Sequence, residues 1–145
     1  MITFPNNLIV SFIKDLLEKM RLDEDDFSFS LSKVSFDIND ENTWTRTKTS
    51  VAKMFYQFIS LLVKNSQIDV KEIELLKTKE YTKNLFNDCG YPALANHRED
   101  NRGNSKKIRY RSKPINYNGV DLYVSIEFFD SDRQAVVEWY KNHLS

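Results

Sequence analysis

Residues 108–129, IRYRSKPINYNGVDLYVSIEFF, constrain the fold most, because they carry the marks of a β-hairpin. Asn118-Gly119 is the dipeptide preferred by a two-residue type I′ turn, in which both central residues need φ > 0. Before the turn, strand alternation sets Arg109, Arg111 and Lys113 on one side and Ile108, Tyr110 and Ser112 on the other. After it, Val120, Leu122, Val124, Ile126 and Phe128 form an apolar row. One face therefore has a core to lie on. The other presents cations about 7 Å apart by strand rise. That spacing is close to the phosphate repeat of a nucleic-acid strand, roughly 6–7 Å per nucleotide.

Length sets the next limit. A chain of 145 residues fits one domain and can build a core without disulfides or metals. No apolar run approaches the roughly 20 residues of a membrane span, so no membrane association is expected. The opening MITFPNNLIVSF has no basic leader ahead of its apolar residues, so no signal peptide is expected. The single Cys89 excludes an internal disulfide and argues against a cysteine-based metal site. A cytoplasmic location follows as an expectation. Asn, Lys and Ile are plentiful, a composition that suggests an AT-rich genome.

Net charge is zero but unevenly spread. Residues 1–47 carry five Lys/Arg against nine Asp/Glu, whereas residues 98–113 carry seven against two. Such asymmetry points to a polyanion partner, with a solvated basic loop as the alternative.

Hydrophobic periodicity divides the chain. Leu8, Ile9, Phe12, Ile13, Leu16, Leu17 and Met20 recur at helical spacing behind Asn6 and Asn7, and the acidic run 23–26 ends that helix. Phe27, Phe29 and Leu31 share one strand parity, and Val34, Phe36 and Ile38 share the other, which predicts a short strand pair with a turn or bulge at Ser32-Lys33. A polar loop with Trp44 follows. A second long helix spans Val51 to Val63, with Thr49 or Ser50 placed to cap it. Asp69 caps a short helix with Ile73 and Leu76 inward. Thr78 caps another over 79–88, with Tyr81, Leu85 and Phe86 on one side and Gly90 as its stop. Residues 91–107 read as a loop. After the hairpin, Asp130 or Ser131 starts a last helix with Val136, Trp139, Tyr140 and His143 inward. The expectation is an α+β chain forming a single compact domain over 1–145. It has about five helices, a C-terminal β-hairpin and a short N-terminal strand pair. Residues 1–47 form its N-terminal helix and strands, and 48–145 its remaining helices and hairpin.

From residue 50 onward the order helix, short helix, short helix, loop, hairpin, helix resembles a winged helix-turn-helix, a resemblance to a fold class carried by element order alone over roughly residues 50–130. It implies that helix 79–88 enters the major groove, with Lys79, Thr82, Lys83 and Asn87 as exposed polar candidates, and that the hairpin wing contacts backbone. Two features depart from the pattern. The helix has no Arg and balances its lysines with Glu80 and Asp88, and the segment leading to the wing is longer than a direct connection needs.

Arg98, Arg102, Lys106, Lys107, Arg109, Arg111 and Lys113 form a basic segment interleaved with Tyr110 and followed by Tyr117. Arg makes bidentate phosphate contacts, and aromatics between cations can stack on bases. An edge strand that carries charge to prevent aggregation would explain Arg111 and Lys113 equally well. Other chemistry lacks support. His97, Glu99 and Asp100 sit together, but a metal needs three or four ligands with further residues to orient them, and the only other histidine, His143, lies near the C-terminus. Asp121, Glu127 and Lys141 lack nuclease spacing. Three scattered glycines cradle no phosphate, and Cys89 sits at the end of a helix where a thiolate is disfavoured.

The sequence thus leads to a non-enzymatic nucleic-acid-binding module, with DNA as the first expected partner and RNA the second, and with no cofactor or metal. It would grip backbone phosphates through 98–113, while Lys79 and Lys83 add contacts from the preceding helix. The alternative is a protein-interaction module, such as a small inhibitor, an antitoxin-like protein or a defence-associated protein of bacteria or their phages and mobile elements. That module would form a homodimer or dock a partner through the acidic residues of 1–47 or the basic wing, with an exposed aromatic such as Trp44 as an anchor.

Overall fold

The computed structural model describes residues 34–144. The expected helix over Leu8 to Met20, the acidic run 23–26 and the strand residues Phe27, Phe29 and Leu31 lie outside the described residues. The chain divides into two units, Met1–Thr49 and Ser50–Ser145. Among the described residues it is a mixed helix-and-sheet protein, with four α-helices and a three-stranded antiparallel sheet.

In the first unit, Val34, Phe36 and Ile38 form no strand, contrary to their alternation. The backbone instead closes a small polar loop. Asp40 caps a 3-10 turn, Glu41–Thr43, through a bond from the Asn42 N–H, and the Thr43 hydroxyl accepts from Asp37 N–H at 2.9 Å. Trp44 Nε1 donates to the Asp37 carbonyl at 3.0 Å, and its side chain is buried, with the residue only 5% exposed. The expectation that Trp44 offers an exposed docking aromatic is therefore corrected. Its indole serves the loop's own hydrogen bonding.

The second unit begins with helix α1, Val51–Lys64, whose apolar residues at three- and four-residue spacing bury Met54, Phe55, Phe58, Ile59 and Leu62. Ser50 is the cap, accepting from Lys53 N–H. Asp69 caps α2, Val70–Leu76, and Thr78 caps α3, Lys79–Leu85. Helix α3 ends before the sequence predicts, because Phe86 turns to an extended conformation (φ −116°, ψ 146°) and is fully buried. The Thr82 hydroxyl donates to the Thr78 carbonyl at 2.8 Å and accepts from Ala93 N–H at 3.1 Å, which fixes α3 against the chain that follows.

Strand β1, Leu94–Ala95, lies in the segment read as loop and pairs with β3, Val120–Val124, which also pairs with β2, Ile115–Tyr117, giving the order β1-β3-β2. The hairpin turn is as its dipeptide requires, with Asn118 at φ 50° and Gly119 at φ 86°. The apolar row is shorter than its alternation suggests. Leu122 and Val124 are buried, whereas Val120 and Ile126 are exposed. A 3-10 turn, Asp130–Asp132, leads into α4, Arg133–Asn142, which packs Val136, Trp139 and Tyr140 onto α1. An aromatic cluster centres on Phe55, whose ring lies 5.6 Å from Phe86, 4.8 Å from Phe128 and 5.1 Å from Trp139.

The buried Cys89 thiol and Tyr110 hydroxyl both titrate late. Burial pushes the Cys89 thiol up from 9.0 to about 12 and the Tyr110 hydroxyl up from 10.0 to about 12. A raised folded-state value means that the unfolded chain releases its proton first. The stability these groups contribute is thus complete below about pH 9 and is lost as pH rises toward 12. The urea midpoint is expected to fall steadily above pH 9, and less steeply in Cys89→Ala. A flat profile from pH 8 to 11 would contradict this placement. Native Cys89 should also resist iodoacetamide at pH 8, where it remains a buried thiol.

Candidate nucleic-acid interface

Residues 109–111 run beside the end of β3 as a second, offset pairing. The Arg111 N–H donates to the Val124 carbonyl and the Ile126 N–H to the Arg109 carbonyl, both at 2.9 Å, around a bridge between Tyr110 and Ser125. Within the hairpin, Ile115 faces Leu122. Four residues, 111–114, thus span what two residues span on β3, and Pro114, lacking an N–H, sits in the slack.

The outer edge of this pairing is sealed by the chain itself. Tyr110 is 1% exposed, and its hydroxyl donates to the Pro92 carbonyl at 3.0 Å and accepts from Asn101 Nδ2 at 2.8 Å. Arg98 Nε donates to the Tyr110 carbonyl at 3.4 Å. Loop 96–105 is held here by these bonds and by left-handed Asn101 (φ 63°) and Gly103 (φ 60°). Part of the basic segment therefore does structural work along an edge.

The nine predicted cations fall into distinct groups. Arg109 is partly buried, its guanidinium 4.0 Å from the Tyr91 ring centre. Its Nε donates to the Asn101 carbonyl at 3.2 Å, and its Nη1 pairs with Glu127 at 3.2 Å. Lys107 pairs with the same Glu127 oxygen at 2.8 Å. Arg111 lies over Tyr56 of α1, 5.0 Å from the ring centre. Its Nε is buried without a hydrogen-bond partner, and no ion pair engages the side chain among the described residues. Tyr56 donates its hydroxyl proton to the Lys113 carbonyl at 3.4 Å, so Arg111, Lys113 and Tyr56 meet at one corner. Lys106 and Lys113 are exposed and Arg102 half-exposed, and none of the three has an ion pair among the described residues. Lys79 and Lys83 share an exposed face of α3, likewise unpaired among the described residues. Thr82 does not join them, because its side chain is fully buried. Asn87 lies beyond the end of the helix, its amide donating to the Ser131 carbonyl at 3.3 Å.

Sequence reasoning missed Tyr56, which reads as one more helix residue, and missed Glu127 as the counter-ion of two of the seven cations. Extending the observed bridge by two residues sets Glu127 opposite Ile108, between Lys107 and Arg109. The hairpin's own register, carried through without the slack, would have set it opposite Tyr110. Only the slip at residues 112–114 reveals the pair.

A cleft of about 460 Å³, lined by residues 66–69, Glu72 and His143, holds groups familiar from acid–base chemistry. Their bonds are already committed. Glu72 accepts from the Tyr81 hydroxyl at 2.7 Å and from Trp139 Nε1 at 3.1 Å, and His143 Nδ1 donates to the Trp139 carbonyl at 2.8 Å. His97 is exposed and its N–H donates to Asp100. No group of three or more His, Cys, Asp or Glu positioned to hold a metal occurs among the described residues. No family model matches the chain, and no curated protein or solved structure matches it significantly.

Proposed function

We propose that this protein is a non-enzymatic module that binds the phosphate backbone of DNA, or secondarily RNA, through the basic segment 98–113. The observation that carries this reading is Arg111. A guanidinium is charged at every accessible pH. Here it is half-buried against Tyr56, has an orphaned Nε, and has no carboxylate in reach among the described residues. An unsatisfied buried donor costs about 1–3 kcal/mol, which an arriving oxyanion recovers by reorienting the fork toward itself. Lys113 stands beside it, exposed, as a second phosphate contact. Helix order and hairpin support the winged helix-turn-helix reading. In that reading Lys79 and Lys83 of α3 lie along the groove, and the short β1 is an added strand between helix and wing.

The test is fluorescence anisotropy of a labelled DNA duplex over a range of salt, with a single-stranded RNA in parallel. Arg98, Arg102, Lys106, Arg111 and Lys113 have no ion pair among the described residues, and if all five meet phosphates, log K falls against log salt with a slope of about −4 to −5. Arg111→Gln with Lys113→Ala is expected to flatten that slope by about two units. A folded double variant with an unchanged slope would sink the reading.

A protein-interaction module is the second reading. It rests on Phe129, 56% exposed, and Ile126, 40% exposed, in the chain between β3 and the 3-10 turn. A stoichiometric protein complex that survives moderate salt and is lost in Phe129→Ser would favour it over the first.

A further inference from the structure

Glu127 stands inside the basic segment rather than beside it. One carboxylate oxygen, Oε1, receives both Lys107 Nζ at 2.8 Å and Arg109 Nη1 at 3.2 Å. A carboxylate held between two cations occupies the position and supplies the charge that a backbone phosphate would bring. Its two partners are not equivalent. Arg109 is pinned by Tyr91 beneath it and by the Asn101 carbonyl, and its side chain is 14% exposed. Lys107 is 57% exposed on a flexible stem and is tied to the protein at its ammonium by Glu127 alone among the described residues. Glu127 is itself positioned from below, where its N–H donates to the Ser125 hydroxyl at 3.0 Å.

We propose that Glu127 is an internal phosphate mimic that withholds Lys107 from nucleic acid, and so sets how many phosphates this surface takes. The inference rests on the nucleic-acid reading above. It makes the interface discontinuous. Arg98, Arg102, Lys106, Arg111 and Lys113 have no ion pair among the described residues, while Lys107 and Arg109, between Lys106 and Arg111, are answered from within. A surface so divided takes phosphates at separated positions and binds a continuous backbone less tightly than its seven cations suggest. Loss of the carboxylate releases Lys107 and joins the two halves.

Anisotropy of the same labelled duplex tests this with the full chain in four forms: wild type, Glu127→Gln, Lys107→Ala, and the two changes combined. Gln keeps the shape of the side chain and an oxygen for Arg109. Glu138→Gln, on the exposed surface of α4, changes net charge equally and serves as the control. Glu127→Gln is expected to bind about 5- to 10-fold tighter near 0.1 M salt and to steepen the salt slope by about one unit. Lys107→Ala should leave the wild-type slope unchanged but remove the added unit in the Glu127→Gln background. Two outcomes overturn the inference while leaving the nucleic-acid reading in place. One is wild-type binding with no change in slope for Glu127→Gln. The other is an equal gain from Glu138→Gln, which would mark a bulk charge effect. If neither wild type nor Glu127→Gln binds duplex at low salt, both readings fall together.

Discussion

Phe55→Ala is expected to lower the unfolding free energy of the Ser50–Ser145 unit by about 3–5 kcal/mol, as truncation of a large buried aromatic does when its neighbours cannot close the gap. Phe55 is completely buried, and its ring meets three others, from Phe86, Phe128 and Trp139. These come from three separate places: the chain after α3, the chain after β3 and the body of α4. A void at Phe55 therefore loosens helix, strand and loop together, and no single side chain can swing into it without leaving its own contacts. Against a typical total of about 5–15 kcal/mol, such a loss leaves the unit marginal. Phe55→Leu, which keeps most of the volume, should lose about 1.5 kcal/mol or less. Urea unfolding followed by circular dichroism separates the two variants. Equal midpoints for Phe55→Ala and wild type would mean that the aromatic cluster is not the core of this unit.

The parts of this structure that were legible are those whose causes are local. Ser50, Asp69 and Thr78 cap the helices that follow them because a short polar side chain can reach an N–H three residues on, a relation contained within four residues of sequence. The turn at Asn118-Gly119 is local in the same way. Long-range pairing was not legible. Strand β1 has only two residues, too few to show a period, and exists because β3 offers it an edge. Helix α3 ends at Leu85, although the next glycine is Gly90, because the aromatic cluster draws Phe86 out of the helix. The same distinction governs the basic segment. Its seven cations are visible in the sequence, but their division among an edge seal, an internal ion pair and an open surface depends on Tyr110, Glu127 and Tyr56. Those partners are brought near by a slipped strand pairing and by a helix some fifty residues earlier, since Tyr56 is separated from Lys113 by 57 positions.

Asp132→Ala is the second large effect expected. This carboxylate is fully buried, and it is satisfied by two backbone donors rather than by a cation. Oδ1 accepts from Asp88 N–H at 2.5 Å and Oδ2 from Phe129 N–H at 2.9 Å. The first bond spans 44 positions and ties the chain between α3 and β1 to the entry of α4, and the second closes the 3-10 turn ahead of that helix. Alanine leaves both N–H groups without an acceptor at a site poorly reached by water. At about 1–3 kcal/mol for each charge-assisted bond lost, the unit should be destabilised by about 3 kcal/mol. Asparagine can satisfy one donor with its carbonyl but turns an NH2 toward the other, so Asp132→Asn should fall between alanine and wild type. Ser131→Ala removes a hydroxyl that bonds Asp88 at the exposed surface, and is expected to cost less than either. The ordering discriminates more sharply than any single value. If Asp132 is the clamp, amide hydrogen exchange at Asp88 and Phe129 should accelerate together in Asp132→Ala and remain slow in Ser131→Ala. Acceleration at only one of the two amides would show that the carboxylate holds one segment and merely neighbours the other.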